Sequence, residues 1–181
     1  KKQDGNYNNL KLDYNLFFDK RNQSFRPSEG FYSNFSQKIP ILSNSYYLYN
    51  KYDFKIYKKL SENMIGSFSY HLSAINSLDD DDVRISERLN LSPRKLRGFK
   101  KGKIGPKDNN DFIGGNYVTA MTASSTLPDF LPDLDSVDFS LFIDAGNIWG
   151  VDYDSSLDNS KLRSSTGLSI DWLTPIGPLN F

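Results

Sequence analysis

Cysteine is absent from all 181 residues. That removes disulfide frameworks, thiolate metal sites and a Cys nucleophile, while leaving the redox compartment open. A single His rules out a His cluster for zinc. There is no Gly-x-Ser-x-Gly elbow and no phosphate-binding P-loop. Mean hydropathy is −0.56, and no apolar run approaches the ~18 residues that a spanning helix needs, so a helical membrane protein is excluded. No secretory leader is expected from the polar opening Lys1-Lys2-Gln3-Asp4. Charge is balanced, 22 basic against 22 acidic side chains, which argues against a nucleic-acid partner held mainly by phosphate contacts. A membrane β-barrel survives every one of these exclusions, because alternating strands average to a polar composition.

Aromatics are plentiful. The 11 Tyr, 13 Phe and 2 Trp make up 14% of a chain only 38% hydrophobic, a mixture that suits surfaces with one apolar and one polar face. The period is two almost throughout. Leu10, Leu12, Tyr14, Leu16 and Phe18 alternate with Lys11, Asp13, Asn15, Phe17 and Asp19. Val137, Phe139, Leu141, Ile143 and Ala145 alternate with Asp138, Ser140, Phe142, Asp144 and Gly146. Successive side chains of a strand point to opposite faces, so each such run is two-faced. The pattern predicts eight strands over 10–19, 30–39, 46–58, 63–74, 115–127, 136–148, 162–173 and 178–181. Turn signals lie at Pro27-Ser28-Glu29-Gly30, Pro40, Ser61-Glu62-Asn63, Pro128, Pro132-Asp133, Asp158-Asn159-Ser160 and Pro175-Ile176-Gly177-Pro178. Several strands approach the ~9–11 residues of a tilted membrane-spanning strand. No helical stripe of useful length is present.

One connection, about 77–114, is far longer than a hairpin loop, and such loops are generally functional or disordered. It begins with Asp79-Asp80-Asp81-Asp82 and then turns basic through Arg84, Arg88, Arg94, Lys95, Arg97, Lys100, Lys101, Lys103 and Lys107. The acidic run lacks the spacing of a calcium loop, and no metal or other cofactor is expected. The basic run reads either as a solvated loop or as a segment packed against something acidic. His71, alone on an alternating strand, reads as a satisfied or exposed residue rather than a catalytic one.

Within this connection stands Leu96-Arg97-Gly98-Phe99, followed by Ile104-Gly105-Pro106 and Ile113-Gly114-Gly115-Asn116. Asp19-Lys20-Arg21 with Pro27 and Gly30 precedes it. Phe142-Ile143-Asp144-Ala145-Gly146-Asn147-Ile148-Trp149, Leu162 to Gly167 and Asp171-Trp172-x-x-Pro175-Ile176-Gly177-Pro178-Leu179 follow. This ordered set resembles the BamA-type outer-membrane assembly factors of the bacterial surface antigen family, with their Arg-Gly-Phe loop signature. The resemblance implies an all-β, antiparallel transmembrane barrel of sixteen strands behind periplasmic POTRA domains. Residues 1–181 would supply about eight strands from its C-terminal part, with the POTRA domains and the terminal strand outside this sequence and Phe181 a truncation point.

The resemblance also implies a site. The long loop would fold back into the lumen, where Arg97 would meet the carboxylate of Asp144; Gly98 would allow a sharp turn or close approach to the wall, and Phe99 would lay its ring beside the pair. The family's second acidic wall position is Ser124 here, so Arg97 is expected to rely on Asp144 alone or to recruit Asp138 or Asp171, which share the polar faces of their strands. From spacing alone, Arg97 reads as an exposed loop residue and Asp144 as a strand-end turn residue, since exposed charge is the base rate; the ordered motifs favour the pair. Gly146 and Asn147 read as bulge or strand-end residues. Trp149 and Trp172 read as interfacial belt aromatics or as ordinary sheet surface.

The implied function is insertion and folding of β-barrel proteins in the bacterial outer membrane, without enzymatic chemistry. The implied partners are unfolded outer-membrane proteins, accessory assembly lipoproteins and outer-membrane lipid, with no nucleic acid. Alternatives are a TamA-like or two-partner-secretion translocation barrel, a passive porin, and a soluble β-sandwich binding module.

Overall fold

The computed structural model describes residues 8–127, 136–158, 161–174 and 176–180. The expected turn residues Pro128, Pro132, Asp133, Asn159, Ser160 and Pro175, and the terminal Phe181, lie outside the described residues. In chain order the strands are β1 (Asn9–Asp19), β2 (Gly30–Ser43), β3 (Tyr47–Ser61), β4 (Met64–Ser77), β5 (Lys107–Asp108), β6 (Asp111–Phe112), β7 (Tyr117–Thr126), β8 (Val137–Trp149), β9 (Arg163–Thr174) and β10 (Gly177–Asn180). Eight of them form one sheet in the order β1-β2-β3-β4-β7-β8-β9-β10, while β5 and β6 make a separate small hairpin. Every pairing is antiparallel between neighbours in that order. The sheet is open, with β1 and β10 at its edges. Among the described residues there is no α-helix, only two short 3-10 turns at Ile85–Glu87 and Ser155–Leu157.

Pro40 is not a turn. β2 runs through it to Ser43. Proline has no N–H to give the ladder, and the register shifts beside it: Lys11 faces Pro40 and Leu10 faces Leu42, so Ile41 of β2 is the extra residue. A bulge of this kind absorbs the missing donor without ending the strand.

The registers sort the side chains into two faces. One row runs Phe31–Ile56–Phe68–Ala123–Ile143–Thr166 across six strands. The next row on the opposite face runs Tyr32–Lys55–Ser69–Thr122–Asp144–Ser165. On the first face Leu16, Ile56, Phe68, Leu141, Ile143 and Leu168 are 41–64% exposed. A continuous apolar surface of this extent is unusual for a protein in water, and it is what the lipid side of a membrane barrel requires. Trp149 ends β8 on this face, stacked on Tyr117 with centroids 5.7 Å apart. Trp172 lies opposite Val137 at the other end of the same face. That placement matches the two aromatic girdles of a membrane-spanning strand set.

The core lies on the polar face, under the connection that joins β4 to β7. Leu91, Leu96 and Ile104 of this connection bury themselves against Val118 and Ala120 of β7 and Ile148 of β8. Nearer the strand ends, Val83 packs with Tyr47 and Ile75. The connection is thus a folded segment, seated on the inner face by buried apolar side chains.

Candidate functional site: an infolded loop and its wall

The loop crosses the polar face and places Arg97 over β8. Nε of Arg97 donates to Oδ2 of Asp144 at 2.8 Å and Nη2 to Oδ1 at 2.8 Å. The Arg97 backbone N–H adds a third bond to Oδ2 at 3.0 Å. Thr122, across the β7–β8 ladder from Asp144, donates its hydroxyl to Oδ1 at 2.8 Å. Asp144 is fully buried, 0% exposed, so a charged carboxylate survives there only with its lone pairs satisfied. Four donors do this, two of them the planar fork that suits a carboxylate better than a Lys ammonium does.

The structure places the other sequence-selected residues as follows. Leu96 and Ile104 are core residues of the loop seat, and Pro106 is buried with them. Gly98 has φ +82°, and a Cβ there would meet nothing of the wall nearer than Ser165 at 3.9 Å, so it serves the turn rather than close approach. Gly105 (φ +96°) makes the close approach: a Cβ would lie 2.9 Å from the Ile148 side chain. Ser124 shares a 2.8 Å hydrogen bond with Ser67 of β4 and takes no part around Arg97. Asp138 is engaged elsewhere, 2.6 Å from Nη2 of Arg26 in the β1–β2 turn. Asp171 faces Asp138 across the β8–β9 ladder. Arg97 thus rests on one carboxylate.

One expectation is corrected and one narrowed. Phe99 does not flank the ion pair; it packs against the apolar loop seat. The aromatic partner comes from the wall, where the ring of Phe142 lies 3.3 Å from the Arg97 guanidinium carbon. The reason is register: Phe142 and Asp144 are alternate residues of β8 and so project side by side. For Gly146 and Asn147 the bulge alternative falls and the strand-end one stands: both pair regularly with Ala120 and Thr119 of β7, and the β8–β9 ladder ends at Gly146. Gly146 is small because Leu91 sits on it: a Cβ would come within 2.8 Å of that side chain.

Several residues that seat the loop carry little sequence signal. Asp152, just beyond β8, gathers the loop's root: it accepts from the Val83 amide at 2.7 Å, from Asn116 Nδ2 at 3.0 Å, and from Arg88 Nη2. Arg84 lies along Tyr47 and donates to Ser45. Asp53 on β3 draws together Lys95, Lys51 and His71. Phe142 had a readable signal, being an aromatic among the polar positions of its strand.

Outside the spanning strands, local contacts tune the loop charges. The Ser156 hydroxyl and amide hold the Asp154 carboxyl below its ordinary range, and the Ser77 hydroxyl does the same for Asp79. Burial first, and then the bond to Asp108, push the Tyr153 phenol up. Among the described residues no group of three His, Asp or Glu is placed to hold a metal.

Strands with a bare apolar outer face, a polar inner face and a folded segment anchored inside define a piece of transmembrane β-barrel wall. The chain belongs to the Omp85 superfamily, whose domain model matches residues 1–181. It is 27% identical over 175 residues to the outer membrane protein assembly factor BamA of Neorickettsia risticii, covering 93% of this chain and 23% of that protein. It is 34% identical over 128 residues to a SAM50-like protein of Schizosaccharomyces pombe, covering 64% of this chain and 26% of that one. The chain therefore spans about a quarter of the length of these curated relatives. The crystal structure of BamA from Haemophilus ducreyi lacking POTRA domains 1–3 superposes with a TM-score of 0.82 at 25% identity, over 94% of this chain and 37% of that one.

Proposed function

We propose that the protein containing this chain inserts and folds β-barrel proteins in the bacterial outer membrane, and that residues 1–181 form part of the C-terminal barrel domain. The observation that carries this reading is the bidentate Arg97–Asp144 pair on an infolded loop. Family membership and the assembly-factor names of the relatives support it. A passive porin needs a polar lumen but no guanidinium that fixes a loop to a buried carboxylate of one wall strand.

In this reading no bond is made or broken and the protein is not an enzyme. Incoming unfolded outer-membrane proteins pair their backbone with a strand edge of the barrel, the physical step being β-augmentation. The lipid face holds the barrel in the membrane, and accessory assembly lipoproteins are further partners of the protein. The loop braces the inner face so that the wall keeps the shape the step needs. The test is Arg97→Ala as the only cellular copy of the full-length protein. Folded porin in the outer membrane should fall with the variant present at normal abundance; unchanged porin would remove the role.

A further inference from the structure

We propose that Lys95 and Asp53 form a second positioning anchor for the infolded loop, so that Arg97 reaches Asp144 as one half of a two-point attachment. The significance of this anchor for assembly rests on the function proposed above; the anchor itself does not.

Lys95 Nζ lies 2.6 Å from Oδ1 of Asp53. Asp53 belongs to β3 and Asp144 to β8, with β4 and β7 between them in the sheet. Two residues of one loop segment, 95 and 97, therefore fasten to strands on either side of the pair they overlie. A single ion pair leaves a segment free to pivot about it. Two contacts on opposite sides fix its direction, and once one is made the other forms at high effective concentration.

Asp53 is built for this. Its side chain is 12% exposed, against 37% for Lys95. His71 Nδ1 stands 2.8 Å from the same Oδ1, and Lys51 Nζ 3.0 Å from Oδ2. The far side of the imidazole is held in turn, with Nε2 3.1 Å from the Ser73 hydroxyl. The carboxylate is thus oriented by its own wall before the loop arrives. That preorganisation lowers the ordering cost of the contact. It also explains why the only His of the chain lies on this inner face, next to an acid, although no reaction uses it.

The experiment uses the full-length folded protein in detergent, with its characteristic gel mobility before boiling as the folding control. Trypsin cleavage at Lys100 and Lys101, both exposed on the loop, reports how often the loop lifts. Lys95→Met and Asp53→Asn should each raise the cleavage rate about fivefold or more. Lys95→Arg should stay near wild type. The double variant should cleave no faster than the faster single one, since each change removes the same contact. Effects that multiply in the double variant, or wild-type cleavage in Lys95→Met, would overturn the anchor. Porin assembly is read in parallel: Lys95→Met should reduce it and Lys95→Arg restore it, and full assembly despite a lifted loop would overturn the positioning role. If Arg97→Ala itself leaves assembly intact, the proposed function fails while the Lys95–Asp53 coupling still stands or falls on cleavage alone.

Discussion

Asp138 and Asp144 share the inner face of β8, and each receives a guanidinium from a different infolded segment. Arg97 comes from the long connection and Arg26 from the β1–β2 turn at the other end of the sheet. The turn that carries Arg26 is itself braced: Arg21 forks onto Asp19 at 2.9 and 2.7 Å, and Asn22 bonds Ser28 and Glu29. Between this turn and the wall lies a cavity of about 250 Å³ lined in part by Phe25, Lys55, Ser67 and Asp171. One strand thus seats two inward elements, at points about 20 Å apart along it.

Sites this far apart act independently. Asp138→Asn should loosen the 20–29 turn, read as faster amide exchange at Ser28 and Glu29, with no change in loop cleavage at Lys100 and Lys101. Asp144→Asn should do the converse. Exchange rates that rise together in either variant would mean that one element holds the other.

Arg97→Lys keeps the charge but loses both the fork and the stack on Phe142. It should destabilise the folded barrel by about 1.5–3 kcal/mol, and Asp144→Asn, which strands a half-buried guanidinium, by about 3–5 kcal/mol. Urea unfolding in detergent micelles measures both. Equal, small effects would place the pair in free solvent.

The ring of Phe142 contributes through its face. Phe142→Leu should cost about 1–2 kcal/mol beyond packing loss, and the cost should vanish in an Arg97→Ala background. Gly167→Ala should act on the same stack from behind, since a Cβ there would lie 2.9 Å from the Phe142 ring. A double-mutant cycle without coupling between positions 97 and 142 would contradict the stack.

Within residues 1–181 no native Cys competes with an introduced one, so the two-faced wall makes a labelling prediction. Single Cys at Leu141 or Ile143 should react with a lipid-soluble maleimide and resist a charged one. Cys at Ser67 or Ser69, on the inner face, should show the reverse preference. Uniform labelling by the charged reagent at all four would mean that no lipid covers the apolar face.

Much of this was legible in the sequence, for a physical reason. Strands with one lipid face and one wet face alternate strictly, and the period of two put β1, β7, β8 and β9 within about two residues of their observed ends. β2, β3 and β4 run three or four residues further, because hairpin pairing continues past the residues whose alternation marks them. Pro40 misled for the same reason: its neighbours could absorb a missing donor by a bulge. The meeting of Arg97 with Asp144 could be named from motif order, whereas Phe99 and Phe142 exchanged places because a loop's rotation about its anchor leaves no trace in spacing. Asp53, Lys95 and Asp152 are single charged residues among many, and only coordinates separate a seat from a solvated charge.

In the proposed function, barrel assembly needs a guanidinium from an infolded loop, neutralised by a wall carboxylate. Reconstituting the full-length protein in liposomes and timing the folding of an added porin measures that need. Arg97→Ala should slow that folding by about tenfold or more, with Arg97→Lys between it and wild type. Wild-type folding rates for Arg97→Ala, at equal amounts of correctly inserted protein, would contradict the account.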